Sequence, residues 1–253
     1  MNIGFIGLGD MGNGMVSNLI RNGYKPYLFD IEESKIKSRV DLGGIQTSSI
    51  IDLATKVDVV ILCLPHPETS KEVIFGKEGI VKTSNSKVGT IIETSTLTPE
   101  LVVDFERELK NLRINFLSAP MFGGQTAANA GTIHFVVEGE KTLFEKYGSI
   151  FMSMGRKATY LGDIPQATIA KLARNICRFA NVATALEVID LLHKTTKDIK
   201  PIYDLLVEDS KINFDQVWEK AMKEYALEHK PYTASKISVK DLNMSVKLAK
   251  KYN

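Results

Sequence analysis

The chain has 253 residues, 44% of them hydrophobic and 25% charged, and carries a formal net charge of +2. That profile is the one expected of a soluble globular protein with one large domain or two moderate ones. Lys and Arg are scattered rather than clustered, which argues against nucleic acid as a partner, and no apolar run approaches the length of a membrane span.

The first half alternates strand-like and helix-like segments. Strands are predicted over Ile3–Ile6, Pro26–Phe29, Val57–Leu62, Gly89–Glu93, Asn115–Ser118, Ile133–Glu138 and Ala158–Tyr160. Helices are predicted over Met11–Asn22, Glu32–Leu42, Ile50–Thr55, Pro99–Leu112 and Lys141–Met152. Such alternation implies a mostly parallel sheet covered by helices. Val57–Leu62 is apolar on both faces, as a central parallel strand should be.

The pattern changes near Gly162. From Ala167 to Leu192 apolar residues recur at steps of three and four, Ala173, Ile176, Cys177, Ala180 and Ala183 among them. One long helix to about Lys194 is expected, with Pro165 in its first turn. Shorter helices are expected at Ile202–Val207, Phe214–Ala226 and Val239–Lys251. The predicted organisation is a Rossmann-type α/β dinucleotide-binding domain at 1–162 and a short all-α domain at 163–253.

The N-terminus carries the clearest motif. Gly7-Leu8-Gly9-Asp10-Met11-Gly12 joins the first strand to the first helix without a gap. A G-x-G-x-x-G in that context makes a dinucleotide-binding turn. Its first glycine allows the turn, the second lets a pyrophosphate approach the backbone, and the third lets helix and strand pack closely. The helix N-terminus then faces the phosphates. Asp30 ends the second strand, where an acid accepts hydrogen bonds from ribose hydroxyls and repels a 2′-phosphate. Ile31-Glu32-Glu33 follows with no arginine, so NAD is expected over NADP. Asp30 also reads as a helix N-cap with Glu33 completing a capping box.

Four further segments carry candidate chemistry. Cys63-Leu64-Pro65 leaves a central strand, where open parallel sheets bind ligands. Thr94-Ser95-Thr96-Leu97-Thr98-Pro99 could turn amides and hydroxyls towards a nicotinamide or substrate, or could be a plain cluster of caps. Ala119-Pro120-Met121-Phe122-Gly123-Gly124 exposes backbone N–H groups of the kind that hold a carboxylate. Lys171 and Asn175 stand one turn apart on the long helix. Burial in an apolar stretch lowers a lysine pKa and fits it for proton exchange with a hydroxyl, which Asn175 would hold. Alone, Lys171 also reads as a snorkelling surface lysine.

In this order and spacing the chain resembles the β-hydroxyacid dehydrogenase family, which contains 3-hydroxyisobutyrate dehydrogenase and tartronate semialdehyde reductase. Gly4 to Gly12 match the family's G-F-I-G-L-G-x-M-G. Ser118 through Thr132 correspond to D-A-P-V-S-G-G-x-x-G-A-x-x-G-T, and Pro165 through Asn175 to G-x-G-x-x-x-K-x-x-N-N. Lys240-Asp241-Leu242 corresponds to a late K-D-L. The resemblance implies reversible hydride transfer between nicotinamide and the carbon bearing a β-hydroxyl. It makes Lys171 the general acid/base and Asn175 the hydroxyl anchor. Gly123, Gly124 and the neighbouring position 122 would hold the substrate carboxylate, and Lys240 would lie beside cofactor and substrate.

The match has gaps. Phe122 stands where the family has serine, Ser118 replaces its aspartate and Ala127 its glycine. Pro165 and Ala167 replace glycines, and Arg174 replaces the first asparagine. Family members usually continue for several helices beyond K-D-L, so a long apolar helix with little cover implies a homodimer. The expectation is a cytoplasmic NAD-dependent enzyme, with NADP as the alternative cofactor, acting on a short β-hydroxyacid or semialdehyde. Its candidate cofactor residues are Gly7 to Gly12, Asp30, Cys63 to Pro65, Thr96 and Lys240, and its candidate substrate residues Ser95, Phe122, Gly123, Gly124 and Asn175. Reduction of an imine or apolar aldehyde, suggested by Phe122, is the second reading. A non-catalytic nucleotide-binding interaction protein is the third. Cys63 and Cys177 are expected to be reduced and buried, no signal peptide is recognised, and His66, His134, His193 and His229 have no metal-like spacing.

Overall fold

The computed structural model describes residues 1–209 and 236–252. It divides into two compact units, Met1–Lys171 and Leu172–Asn253. The first unit is built on a sheet of strands β1 (Ile3–Ile6), β2 (Tyr27–Phe29), β3 (Ile45–Gln46), β4 (Val59–Leu62), β5 (Thr90–Glu93), β6 (Asn115–Ser118), β7 (Met121–Phe122), β8 (His134–Gly139) and β9 (Lys157–Tyr160). The order is β3-β2-β1-β4-β5-β6-β8-β7, with β9 on β8. β1 to β6 pair in parallel, β8 runs antiparallel to β6 and β7, and β9 is parallel to β8. The Rossmann-type α/β expectation holds, with an antiparallel extension at one edge.

The apolar runs form strands because both faces of the sheet are covered. Phe5, Ile61, Ile92 and Leu117 belong to one core, together with Met15, Leu19, Phe135 and Phe151. Their neighbours Ile6, Val60, Leu62, Ile91 and Phe116 belong to the other, together with Val102 and Phe105. Full burial of each such side chain contributes roughly 1.5–3 kcal/mol.

Helices α1 (Asp10–Arg21), α2 (Glu33–Val40), α3 (Ile50–Ala54), α4 (Pro67–Phe75), α5 (Pro99–Asn111), α6 (Gln125–Ala130), α7 (Lys141–Lys146) and α8 (Gly148–Met154) flank the sheet. The expected single helix Lys141–Met152 is two. Tyr147 leaves helical geometry (φ −99°, ψ 9°) between them, and its buried hydroxyl donates to Thr90 Oγ1 at 2.8 Å. The short elements β3, β7, α4 and α6 carry too little periodicity to stand out in the sequence.

A long helix α9 (Gln166–Thr195) begins in the first unit and continues through the second. Pro165 precedes its first turn instead of lying in it, and the Pro165 carbonyl accepts from Ile169 N–H at 3.1 Å. In the second unit, helices Lys200–Asp209 and Lys236–Tyr252 cover the expected Ile202–Val207 and Val239–Lys251. The expected helix Phe214–Ala226 lies outside the described residues. Ala185, Ile189, Ile199 and Tyr203 form this unit's small core. The apolar face of α9 is partly uncovered. Ala173, Ile176, Cys177, Ala180 and Ala183 are exposed, so the expectation of a buried Cys177 fails. Among the described residues no helix is long and apolar enough to cross a membrane.

Candidate active site

Sheet register sets the site. Phe29, Ile6, Leu62, Glu93 and Ser118 are consecutive pairing partners across β2, β1, β4, β5 and β6. Asp30, Gly7, Cys63, Thr94 and Ala119 therefore leave the sheet in one row at the carboxyl ends of parallel strands. The chain reverses direction of progress between β1 and β4, the switch point at which such sheets bind ligands.

The glycine turn occupies the head of that row. Gly7 has φ +96°, and a Cβ there would stand 2.2 Å from the Cys63 carbonyl oxygen. A Cβ on Gly12 would meet the Gly7 carbonyl oxygen at 2.0 Å, whereas one on Gly9 would meet nothing within 4 Å. The protein's own packing requires the outer two glycines, and the middle one faces open space. Helix α1 starts at Gly9 without a side-chain cap. Its first-turn N–H groups and the positive end of its dipole suit a phosphate. The turn thus fits a pyrophosphate.

Asp30 braces this turn. Its Oδ2 accepts from Leu8 N–H at 2.6 Å and its Oδ1 from Glu32 N–H at 2.9 Å. Helix α2 is capped at Glu32 with no side-chain bond, so Asp30 is not the N-cap of a capping box with Glu33. At the other side of the row, Ser95 Oγ accepts from Leu64 N–H at 2.8 Å, tying the turns after β4 and β5 together. Ser95 N–H in turn donates to the buried Glu93 at 2.8 Å. Capping of α5 falls to Thr98, which accepts from Leu101 N–H, and half-buried Thr96 stays within the turn. Cys63 is half-buried and not fully buried as expected, and desolvation pushes its thiol up to about 12, helped by the Glu93 carboxylate, which disfavours the thiolate.

The second glycine turn follows β7. Phe122 pairs with His134 across β7 and β8, and its ring meets the imidazole edge-on at 5.7 Å. Gly123 has φ +123° and a prospective Cβ 2.9 Å from Ala127 Cβ, while Gly124 faces open space and starts α6. The two turns touch: Gln125 Nε2 donates to Asp10 Oδ1 at 3.2 Å, and Asn18 Nδ2 on α1 donates to the Ala128 carbonyl at 2.7 Å. Half-buried Lys171 reaches the strand that leads into this turn. Its Nζ donates to the Met121 carbonyl at 2.7 Å.

In the second unit Asn175 is 2% exposed and its Nδ2 donates to Asp241 Oδ2 at 2.9 Å. Lys240 Nζ lies 3.2 Å from Asp241 Oδ1. The structure therefore joins Asn175 and Lys240 through Asp241, a residue to which the sequence alone gives no role. The signal was an acid inside a late K-D-L. A second missed residue is Glu138, a lone acid in the apolar strand β8 and fully buried. No His/Cys/Asp/Glu cluster with metal-binding geometry occurs among the described residues.

Comparison with known proteins gives this arrangement relatives. Residues 2–162 match the model of the NAD binding domain of 6-phosphogluconate dehydrogenase. The mitochondrial 3-hydroxyisobutyrate dehydrogenase of Rattus norvegicus is 32% identical over 204 residues, 81% of this chain and 61% of that protein's length. The crystal structure of 3-hydroxyisobutyrate dehydrogenase from Salmonella typhimurium superposes with TM-score 0.89 at 21% identity, covering 100% of this chain and 88% of that one. An imine reductase of Streptomyces aurantiacus superposes with TM-score 0.69 at 18% identity, covering 84% of this chain and 75% of that one. The structural likenesses concern the fold.

Proposed function

The chain belongs to the β-hydroxyacid dehydrogenase family, and from that premise we propose an NAD-linked oxidoreductase acting on a short β-hydroxyacid or its semialdehyde. One observation carries the reading: Lys171 is tethered to the backbone of the strand that runs into Gly123-Gly124. In this reading Lys171 takes the proton of the substrate hydroxyl during oxidation and returns it to the carbonyl oxygen during reduction. Backbone N–H groups of Gly123 and Gly124 hold the carboxylate. By the family motif Asn175, held by Asp241, is the anchor of the reacting oxygen and Lys240 the residue beside cofactor and substrate, and Ser95 is a substrate residue of the turn after β5. Anchoring the carboxylate fixes the reacting carbon, which contributes to the rate by proximity and orientation.

A bound nicotinamide cofactor would supply the hydride chemistry at that carbon. Gly7 to Gly12 would hold its pyrophosphate, Asp30 its ribose, and Cys63 to Pro65 with Thr96 the nicotinamide end. The negative charge of Asp30, Glu32 and Glu33 favours NAD over NADP. We assign the protein to a reducing compartment, the cytoplasm, where both thiols persist. Exposed Ile176, Leu191, Leu205 and Val246 support a homodimer through the helical unit.

Phe122 supports a second reading. Its ring against His134 puts an aromatic surface where the family motif has a hydroxyl, a change that suits an imine or an apolar aldehyde. A panel assay separates the two. NADH oxidation with short semialdehydes, and NAD reduction with β-hydroxyacids, support the first. Turnover confined to imines or apolar aldehydes supports the second, and NADH binding without any turnover defeats both.

A further inference from the structure

We infer that Glu138 is a positioning residue for Lys171, a carboxylate on β8 that fixes the first turn of the helix bearing the lysine. The inference rests on the proton-transfer role proposed for Lys171. The N–H groups of Ala167 and Thr168 belong to the first turn of α9, the donors that a helix leaves without an internal partner. A neighbouring cap residue ordinarily satisfies them. Here the acceptor comes from a strand 29 residues away in sequence: Glu138 Oε2 accepts from Ala167 N–H at 2.6 Å and from Thr168 N–H at 3.3 Å. Thr168 Oγ1 donates to Glu138 Oε1 at 2.5 Å. The carboxylate therefore grips one helical turn from both oxygens, and the helix dipole favours its negative charge.

A buried carboxylate is costly to retain. Burial pushes the Glu138 pKa up, and its bonds to Thr168, Ser118 and Ala167 oppose that shift. Phe135, Val136 and Val137 before it are buried and apolar, so the bonds from α9 are what offset the cost of keeping a carboxylate there. What the carboxylate gains is geometry. Lys171 lies one turn beyond Thr168, and its ammonium ends on the Met121 carbonyl. Met121 pairs with Phe135, three residues before Glu138 on the same strand. Strand β8 thus fixes both the helix that carries the lysine and the strand that receives it.

Ser118 shows how the arrangement is made. It pairs directly with Glu138 across β6 and β8, and its Oγ lies 3.3 Å from Thr168 Oγ1. Position 118 is where the family motif has an aspartate. In this chain the acid stands on the opposite strand of the pair, facing the same threonine.

The test compares Glu138→Gln, which removes the charge but keeps the shape, with the exchange Ser118→Asp/Glu138→Ser, which moves the acid back across the pair. Each is assayed for kcat, KM and NADH affinity. Each is also followed by the side-chain resonance of Lys171 in lysine-labelled protein, assigned by its loss in Lys171→Arg. Glu138→Gln should lower kcat by about 10- to 100-fold, the scale of a misplaced reacting group, with NADH affinity unchanged and the Lys171 resonance displaced. The exchange should restore both. A folded Glu138→Gln with native kcat and an unmoved resonance overturns the proposal. So does an exchange variant that folds and restores neither. Should Glu138→Gln fail to fold, the exchange decides alone. A wild type without turnover defeats the functional reading, and the resonance still decides the role of Glu138.

Discussion

The two glycine turns of the N-terminal unit leave the same sheet and each starts a helix, yet they are specified in different ways. In the first, Gly7 and Gly12 are demanded by carbonyl oxygens about 2 Å from any Cβ they might carry, at Cys63 and at Gly7 itself. In the second, Gly123 is fixed by its own backbone at φ +123°, with the Ala127 side chain 2.9 Å from any Cβ, and the preceding position carries Phe122. Gly9 and Gly124 share the opposite property, with nothing inside 4 Å. Packing explains a crowded glycine. An open glycine at the head of a helix is explained by what approaches from outside. The first turn is locked by backbone oxygens on both outer glycines, whereas in the second the fold fixes Gly123 and leaves Gly124 open.

Gly7→Ala should do the most damage to the fold. A left-handed backbone on a non-glycine residue costs about 1–3 kcal/mol, and the clash with Cys63 adds to it. The melting temperature should fall by several degrees, and a native thermal transition would break the contrast. Gly9→Ala and Gly124→Ala should both fold normally. Titration with NADH should then find roughly tenfold weaker binding in the first, equivalent to about 1.4 kcal/mol, and native binding in the second, whose loss appears in substrate KM. Phe122→Ser should improve kcat/KM for carboxylate substrates by about tenfold, the value of one hydrogen bond to a charged group. If imine turnover improves instead, Phe122 does not set substrate class. The smallest effect is chemical. An alkylating reagent should label exposed Cys177 in the native protein and spare Cys63, whose pKa of about 12 leaves almost no thiolate. Equal labelling rates would show that the row beneath the glycine turn is open.

Much of the fold could be read from residues because the central strands are apolar on both faces and separated by amphipathic helices. β1 and β6 fall where the sequence places them, and the other expected strands shift by one or two residues at their ends. Three kinds of feature stayed hidden. Short elements such as β7 and α6 carry no periodicity. The break at Tyr147 depends on a hydroxyl partner 57 residues away. Single acids take their meaning from tertiary contacts: Asp30 bonds back to the glycine turn, Asp241 orients Asn175, and Glu138 holds α9. Among the candidate residues, motif spacing singles out Gly7, Asp30 and Cys63, and the sheet register sets these three in one row. The bond from Lys171 to the Met121 carbonyl has no counterpart in spacing at all.

The central claim concerns that lysine. Steady-state turnover of Lys171→Ala, measured beside wild type on the best semialdehyde at saturating NADH, tests it most directly. A fall in kcat of about 10² or more, the scale of lost general acid/base catalysis, with native NADH affinity is the predicted result. Turnover within a few-fold of wild type would contradict it and move the proton to another group.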